Sequence, residues 1–182
     1  LINCAGMGKR GLVEDHSKEA LSQTIDINCN SLSTLTRVCL PYMTDLKLGA
    51  RIINMASSAA FLPQPGFACY AASKAYVLSF SRALSFELAP HKVYVTAVCP
   101  GPVDTEFLSK ATDNSESKFT GIRALCVVQP DKLVKKALKA SAKKRHIYVC
   151  GFMQKCLHVA SKLVPTSWIL GIESIAMPVT KK

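Results

Sequence analysis

The sequence contains no apolar run that reaches the ~18 residues a membrane span needs, and its cleanest apolar stretches, such as the one around Ile52-Ile53, are strand-sized. It shows no signal peptide: Lys9 and Arg10 follow the first apolar residues instead of preceding them, and no long apolar region comes after. Eight cysteines stand at 4, 29, 39, 69, 99, 126, 150 and 156, and none forms a C-x-x-C pair, so the usual zinc and redox spacings are absent and no metal site is expected. Most have apolar neighbours, as in Val98-Cys99 and Val149-Cys150, and read as small reduced core residues of a cytoplasmic protein. There is no internal repeat. A nucleic-acid partner is not expected either, because there is no recognised binding motif and no interleaving of aromatic and basic residues.

What is present suits one globular domain. The chain has 182 residues, 49% hydrophobic and 19% charged, which is too apolar for a disordered chain and enough to build a core. It begins with leucine, so the expectation is that the natural N-terminus is missing. The net charge of +11 is uneven. Residues 1–131 carry 12 Lys+Arg against 11 Asp+Glu, whereas residues 132–182 carry 11 Lys+Arg against the single acid Glu173.

Read in order, Leu1-Ile2-Asn3 looks like the end of a strand, and Gly6, Gly8 and Gly11 break regular structure. Asp15 or Ser17 can cap a helix over 21–43, with Ile25, Leu32, Leu35, Val38 and Leu40 as candidate inward positions and Pro41 as a late kink or end. A strand is predicted over 51–57, a turn-rich loop over 61–67, and a helix over 71–89 with Val77, Leu78, Ala83, Leu84 and Leu88 inward. Residues 93–99 form the clearest strand, β-branched and apolar on both faces, as in a buried parallel sheet. Pro100-Gly101-Pro102 ends it, and 105–130 reads as a mobile loop or lid. Asp131 can cap a basic amphipathic helix over 132–145, 146–150 reads as a last strand, and amphipathic helix and tail follow. Strands alternating with helices at this spacing predict a doubly wound parallel α/β sheet.

The chemistry centres on Tyr70-Ala71-Ala72-Ser73-Lys74. Tyrosine and lysine four apart share a helical face. A free phenol has a pKa of roughly 10, and a nearby ammonium favours the phenolate. Such a pair can exchange a proton where a hydride leaves or arrives. Ser57 ends the preceding strand, Pro100-Gly101-Pro102-Val103-Asp104-Thr105 follows the next, and Asn3-Cys4-Ala5-Gly6 closes the first. All lie at the carboxyl edge, where α/β sheets bind ligands.

These motifs resemble those of the classical short-chain dehydrogenase/reductase (SDR) family, over residues 1 to about 150. Asn3-Cys4-Ala5-Gly6 resembles the family's N-N-A-G turn, with Cys4 in place of the second asparagine. Asn28 falls at the family's catalytic asparagine, with Asn30 the competing assignment, and Ser57 at the catalytic serine, with Ser58 the alternative. Tyr70 and Lys74 match Y-x-x-x-K. The resemblance implies that Tyr70 is the general acid/base and that Ser57 bonds the substrate oxygen. It implies that Lys74 binds the ribose hydroxyls and tunes Tyr70, and that Asn28 holds a relay water. NAD(P) contacts are implied at Asn3, Ala5, Gly6, Pro100, Gly101, Val103 and Thr105, together with Tyr70 and Lys74.

One departure is large. The family's T-G-x-x-x-G-x-G loop lies upstream of N-N-A-G and is not in these 182 residues. The implied organisation is the C-terminal part of a Rossmann-type sheet: 1–150 as the catalytic part without the glycine-rich loop, and 151–182 as an amphipathic basic tail. The implied function is NAD(P)-dependent interconversion of a hydroxyl and a carbonyl on a small, acyl- or steroid-like substrate. The alternatives are an inactive remnant that only binds a partner and an epimerase-like relative, which the short C-terminus disfavours. The family also implies a homo-oligomer that pairs the helices at 21–43 and 71–89. The basic C-terminal third reads either as a solvated helix face or as a contact for an anionic partner, including peripheral contact with a membrane surface. His91, His146 and His158 read as surface or turn residues.

Overall fold

Valine-rich and isoleucine-rich segments with too few polar residues for solvent exposure are drawn into the centre of a parallel sheet. The computed structural model describes residues 1–103, 107, 111, 127–168 and 170–171. Four strands pair in parallel in the order β1-β2-β3-β4: β1 Ile2–Asn3, β2 Ala50–Met55, β3 Val93–Cys99 and β4 Ile147–Val149. The register places Asn3 opposite Asn54, and Asn54 opposite Ala97. β3 matches the predicted 93–99, and the strand predicted over 51–57 is shifted to Ala50–Met55.

The first crossover is a single helical rod: α1 Lys18–Ile25, a π-helical segment Asp26–Ser31, and α2 Leu32–Thr44. Ser17, not Asp15, caps it, since Ser17 Oγ accepts from Ala20 N at 3.2 Å. Pro41 lies inside α2 and the helix ends after Thr44. The inward face keeps part of the predicted apolar stripe, with Leu32 buried and Leu40 packed against the core, and departs from it elsewhere. Ile25, Leu35 and Val38 are exposed, whereas Thr24, Asn28, Leu32 and Thr36 are buried. Two physical causes combine. A π segment accommodates an extra residue and turns the following face. The sheet surface beneath is itself polar and draws hydrogen-bonding partners.

α3, Ala68–Glu87, starts three residues before the predicted 71 and covers β2 and β3. Val77, Leu78, Leu84 and Leu88 are buried as predicted, but Ala83 is exposed and Ser73, Ser81 and Ser85 take inward places. α4, Pro130–Ala142, begins at Pro130 as its first residue, so Asp131 lies in the first turn and is not the cap. α5, Phe152–Leu163, follows β4. Leu133 and Ala137 of α4 pack with Ile53, Val98 and Cys150, while Val77 and Leu78 of α3 pack with Ala97, Cys99 and Val149. Helices therefore cover both faces of the sheet. Cys29, Cys99 and Cys150 are buried free thiols, and Cys4 and Cys156 are exposed. The loop expected over 105–130 lies almost wholly outside the described residues.

Candidate active site

β2 ends at Met55, and the chain turns through Ser57 into a short helix, Ser58–Phe61. Ser57 is extended, and its Oγ accepts from Ala59 N at 3.1 Å. The Ser57 side chain also acts on the Tyr70 phenol, favouring its ionised form. Ser58 is held differently: its N–H donates to Pro100 O at 2.8 Å, stitching the end of β2 to the turn after β3. Ser57, not Ser58, therefore faces the phenol.

Tyr70 stands in the first turn of α3 and is only 8% exposed. Its ring stacks on Phe67 at 4.3 Å and meets Phe107 at 5.3 Å. Gly8 is required beside it, because a Cβ there would lie 2.5 Å from Tyr70 Cδ2. Burial raises the phenol's pKa, and Ser57 partly opposes that rise. Lys74, one turn on, is 5% exposed, and its Nζ donates to Met55 O at 2.8 Å. Burial lowers the Lys74 pKa to about 8, with the thiols of Cys4, Cys29 and Cys99 pulling the other way. The expectation that Lys74 lowers the Tyr70 pKa is thus not met in this geometry. The ammonium sits 5.8 Å from the ring centroid and engages a main-chain carbonyl, and desolvation dominates both groups.

Asn28 lies in the π-helical segment and is 1% exposed. Its amide donates to Met7 O and to Ser73 Oγ, both at 2.8 Å, and its Oδ1 accepts from Met7 N at 2.9 Å. Both amide protons are thereby used, so the Asn28 side chain has no free N–H to offer a relay water. Asn30, the competing assignment, points to the surface and donates to Asp26 Oδ1 at 2.6 Å.

Asn3 needs a correction of role. Its amide donates to Thr36 Oγ1 at 3.1 Å and to Asn54 Oδ1 at 2.8 Å, so the side chain is buried on the α2/α3 face of the sheet and is not free for a cofactor. Ala5 and Gly6 are exposed just beyond Asn3. A Cβ on Gly6 would meet Lys74 Nζ at 3.0 Å and Asn28 Oδ1 at 3.3 Å, so this glycine keeps a space open over the lysine. After β3, Pro100, Gly101 and Val103 form the neighbouring wall, held by Val128 N donating to Pro102 O at 3.0 Å. Thr105 lies outside the described residues.

The structure therefore brings Ser57, Tyr70, Lys74, Asn28, Gly6 and the Pro100-Gly101 turn together at one edge of the sheet. A dinucleotide's nicotinamide half fits what is present: glycine-lined space, and a buried ammonium that uses one of its three N–H donors on Met55 and keeps two for a diol. Sequence reasoning missed the Phe67 and Phe107 box, the Met55 carbonyl, and Gln154 of α5. The Gln154 side chain occupies the space a Cβ on Gly101 or on Gly151 would need. Only the Gly6-x-Gly8 spacing hinted at any of this. His158, read as a surface residue, is instead packed on Phe61 at 4.4 Å with its Nδ1 buried and unpartnered.

Comparison with known proteins agrees with this geometry. The profile of the short chain dehydrogenase family matches residues 1–116. The 3-oxoacyl-(acyl-carrier-protein) reductase FabG of Chlamydia trachomatis is 31% identical over 139 residues, covering 76% of this chain and 56% of that protein. The human dehydrogenase/reductase SDR family member 4 is 32% identical over 120 residues, covering 63% of this chain and 43% of that protein. The chain thus spans about half the length of the curated relatives it matches. Among solved structures, a short-chain dehydrogenase from Sphingobium yanoikuyae in complex with NADPH superposes with a TM-score of 0.73 at 28% identity, covering 100% of this chain and 65% of that one. The Brucella melitensis 3-ketoacyl-(acyl-carrier-protein) reductase complexed with NADH gives 0.70 at 28% identity, covering 82% and 63%. With the motifs, the sheet order and the family profile in agreement, the chain belongs to the short-chain dehydrogenase/reductase family.

Proposed function

We propose that the protein carrying this chain is an NAD(P)-dependent oxidoreductase that interconverts a hydroxyl and a carbonyl on a small or lipid-like substrate. One observation carries the reading. A buried phenol, whose ionised form Ser57 favours, lies one helical turn from a buried ammonium, at the carboxyl edge of a parallel sheet. Similarity to a short-chain dehydrogenase solved with NADPH and to a reductase solved with NADH supports it.

The bound nicotinamide supplies the hydride. The chain's own residues do the rest. With its pKa raised by burial, Tyr70 is protonated at neutral pH and donates to the substrate oxygen in the reducing direction. Ser57 gives a second hydrogen bond to that oxygen as charge develops on it. Lys74 holds the ribose hydroxyls with its two remaining donors. Asn28 locks the Met7 backbone and Ser73 of α3 into one unit, which fixes the helix turn that carries Tyr70 and Lys74.

In this reading residues 1–150 supply the catalytic part, and α5 supports it from outside. A homo-oligomer is part of the proposal: α2 and α3 expose Leu35, Val38, Tyr42, Tyr76 and Phe86, and a hollow of about 450 Å³ lined by Ala75, Ser79, Ala83 and Phe86 opens on the same side of α3. The basic C-terminal third adds a surface for an anionic partner. Among the described residues no helix is long and apolar enough to cross a membrane.

Tyr70→Phe in the full-length protein tests the reading. Turnover should fall by ~10²-fold or more, while NAD(P)H titration gives an unchanged dissociation constant. Turnover near the unsubstituted value would remove Tyr70 as proton donor and the proposal with it.

A further inference from the structure

The helix α5 sits on the body the wrong way round. Its inward positions are Gln154, Leu157, His158 and Ser161, three of them polar, and Gln154 is 6% exposed. Its outward positions Phe152, Cys156, Val159 and Leu163 recur at the spacing of one helical stripe, and Phe152, Val159 and Leu163 are 82%, 54% and 77% exposed. Met153 extends the stripe at 53%, and Trp168, past the helix end, is 69% exposed. An apolar stripe facing outward from a polar inner face is not core that failed to pack. Contiguous exposed apolar surface of this kind marks a docking site.

The charges select the occupant. Lys155 and Lys162 are both exposed and flank the stripe on one side. From 132 to 171 the sequence carries nine Lys+Arg and no acid. An antiparallel two-fold pairing of α5 would set the lysine flank of one copy against the lysine flank of the other. An anionic lipid surface pairs with lysines and accepts the apolar stripe between headgroups, and an exposed tryptophan suits the same boundary. Twelve residues of helix are about 18 Å long, too short to span and suited to lying in the interface plane.

We propose that the outer face of α5 docks the protein peripherally on an anionic bilayer, with Phe152, Val159 and Leu163 entering the headgroup boundary and Lys155 and Lys162 contacting lipid phosphates. The inner face of the same helix wedges Gln154 against Gly101 of the wall beside Tyr70, so docking brings that wall to the membrane side of the protein. The proposal is independent of the oxidoreductase reading, since it uses none of the catalytic residues.

Vesicle flotation of the intact protein tests it, with aggregates left at the bottom of the gradient. Binding to vesicles containing phosphatidylglycerol should exceed binding to pure phosphatidylcholine by about tenfold. Val159→Glu with Leu163→Glu should abolish flotation, with circular dichroism and turnover on a water-soluble substrate unchanged because both residues are exposed. Lys155→Glu with Lys162→Glu should remove the preference for the anionic vesicles. Absence of flotation, or flotation undiminished by the stripe substitutions, would overturn the proposal. So would a stripe variant that splits an oligomer in light scattering without affecting lipid binding, which would assign the face to a second copy.

Discussion

The two faces of the sheet are built on different principles. Toward α4 the contact is mainly apolar: Ile53 and Val98 meet Leu133, Ala137 and Cys150, with Thr96 and Ser141 as buried polar residues beside them. Toward α2 and α3 a polar rung crosses the sheet. Asn3 donates to Asn54 and to Thr36, and Asn54 donates to Ser81 Oγ at 2.9 Å, with Asn54 and Ser81 completely buried. Burial of hydrocarbon is non-directional and tolerates sliding, whereas a buried hydrogen-bond network has one good geometry and a high cost for any other. Apolar burial on both faces supplies cohesion. The polar face fixes where α2 and α3 stand along the strands, and α3 is the helix that carries Tyr70 and Lys74.

Substitutions on the two faces should therefore differ in kind. Leu133→Ala removes a side chain that is 5% exposed and leaves a cavity, which should cost about 3 kcal/mol in urea unfolding. Turnover of the folded protein should stay near its original value, because Leu133 packs with Ile53 and Val98 and is in no cluster with Tyr70 or Lys74. Asn54→Ala should cost less, about 2 kcal/mol, mainly from the Asn3 donor left unpaired in the interior. It should nevertheless lower turnover in the surviving folded fraction, since Ser81 of α3 loses its tie to β2. Equal effects on turnover from the two variants would erase the distinction between the faces.

The same contrast explains which parts of the fold were readable from the sequence. β3 was located residue for residue because a β-branched run buried on both faces has one reading. The proximity of Ser57, Tyr70 and Lys74 was readable because their spacing resembles a family motif, and the structure brings them to one edge of the sheet. The inward face of α2 was read correctly at Leu32 and Leu40 and misread at Leu35 and Val38, since an apolar pattern predicts burial only where burial is apolar. Thr36 and Asn28 are inside because Asn3 and Ser73 bond them, and Leu35 and Val38 are displaced outward. The start of α3 was placed three residues late because Phe67, its N-cap, makes no side-chain capping bond that a sequence pattern could signal. The partner of Lys74 is the Met55 carbonyl, and a main-chain acceptor leaves no mark in the sequence.

Lys74 offers the finest test, because it joins the polar helix face to the strand it covers. Its pKa is lowered from 10.5 to about 8 by burial, so the folded state releases the proton at a lower pH than the unfolded state does. Below about 8 both states carry the ammonium, and the folded state bears the full cost of burying it. As pH rises from 8 toward 10.5 the unfolded state binds more protons than the folded one, and linkage then makes stability rise with pH. The buried thiol of Cys99 acts in the opposite sense. Its pKa is raised from 9.0 to about 12, so its contribution is lost as pH climbs past 9. Burial likewise raises the Tyr70 phenol above 10 and gives a loss at still higher pH. The clean window for Lys74 is therefore pH 7.5 to 9, at the lower edge of these opposing titrations. Urea unfolding across it should show the parent gaining about 1 kcal/mol relative to Lys74→Met, with the cysteine contribution common to both and cancelling in the difference. A flat difference would mean that Lys74 keeps its ordinary affinity for the proton, and that the Met55 carbonyl stabilises the ammonium enough to offset its burial.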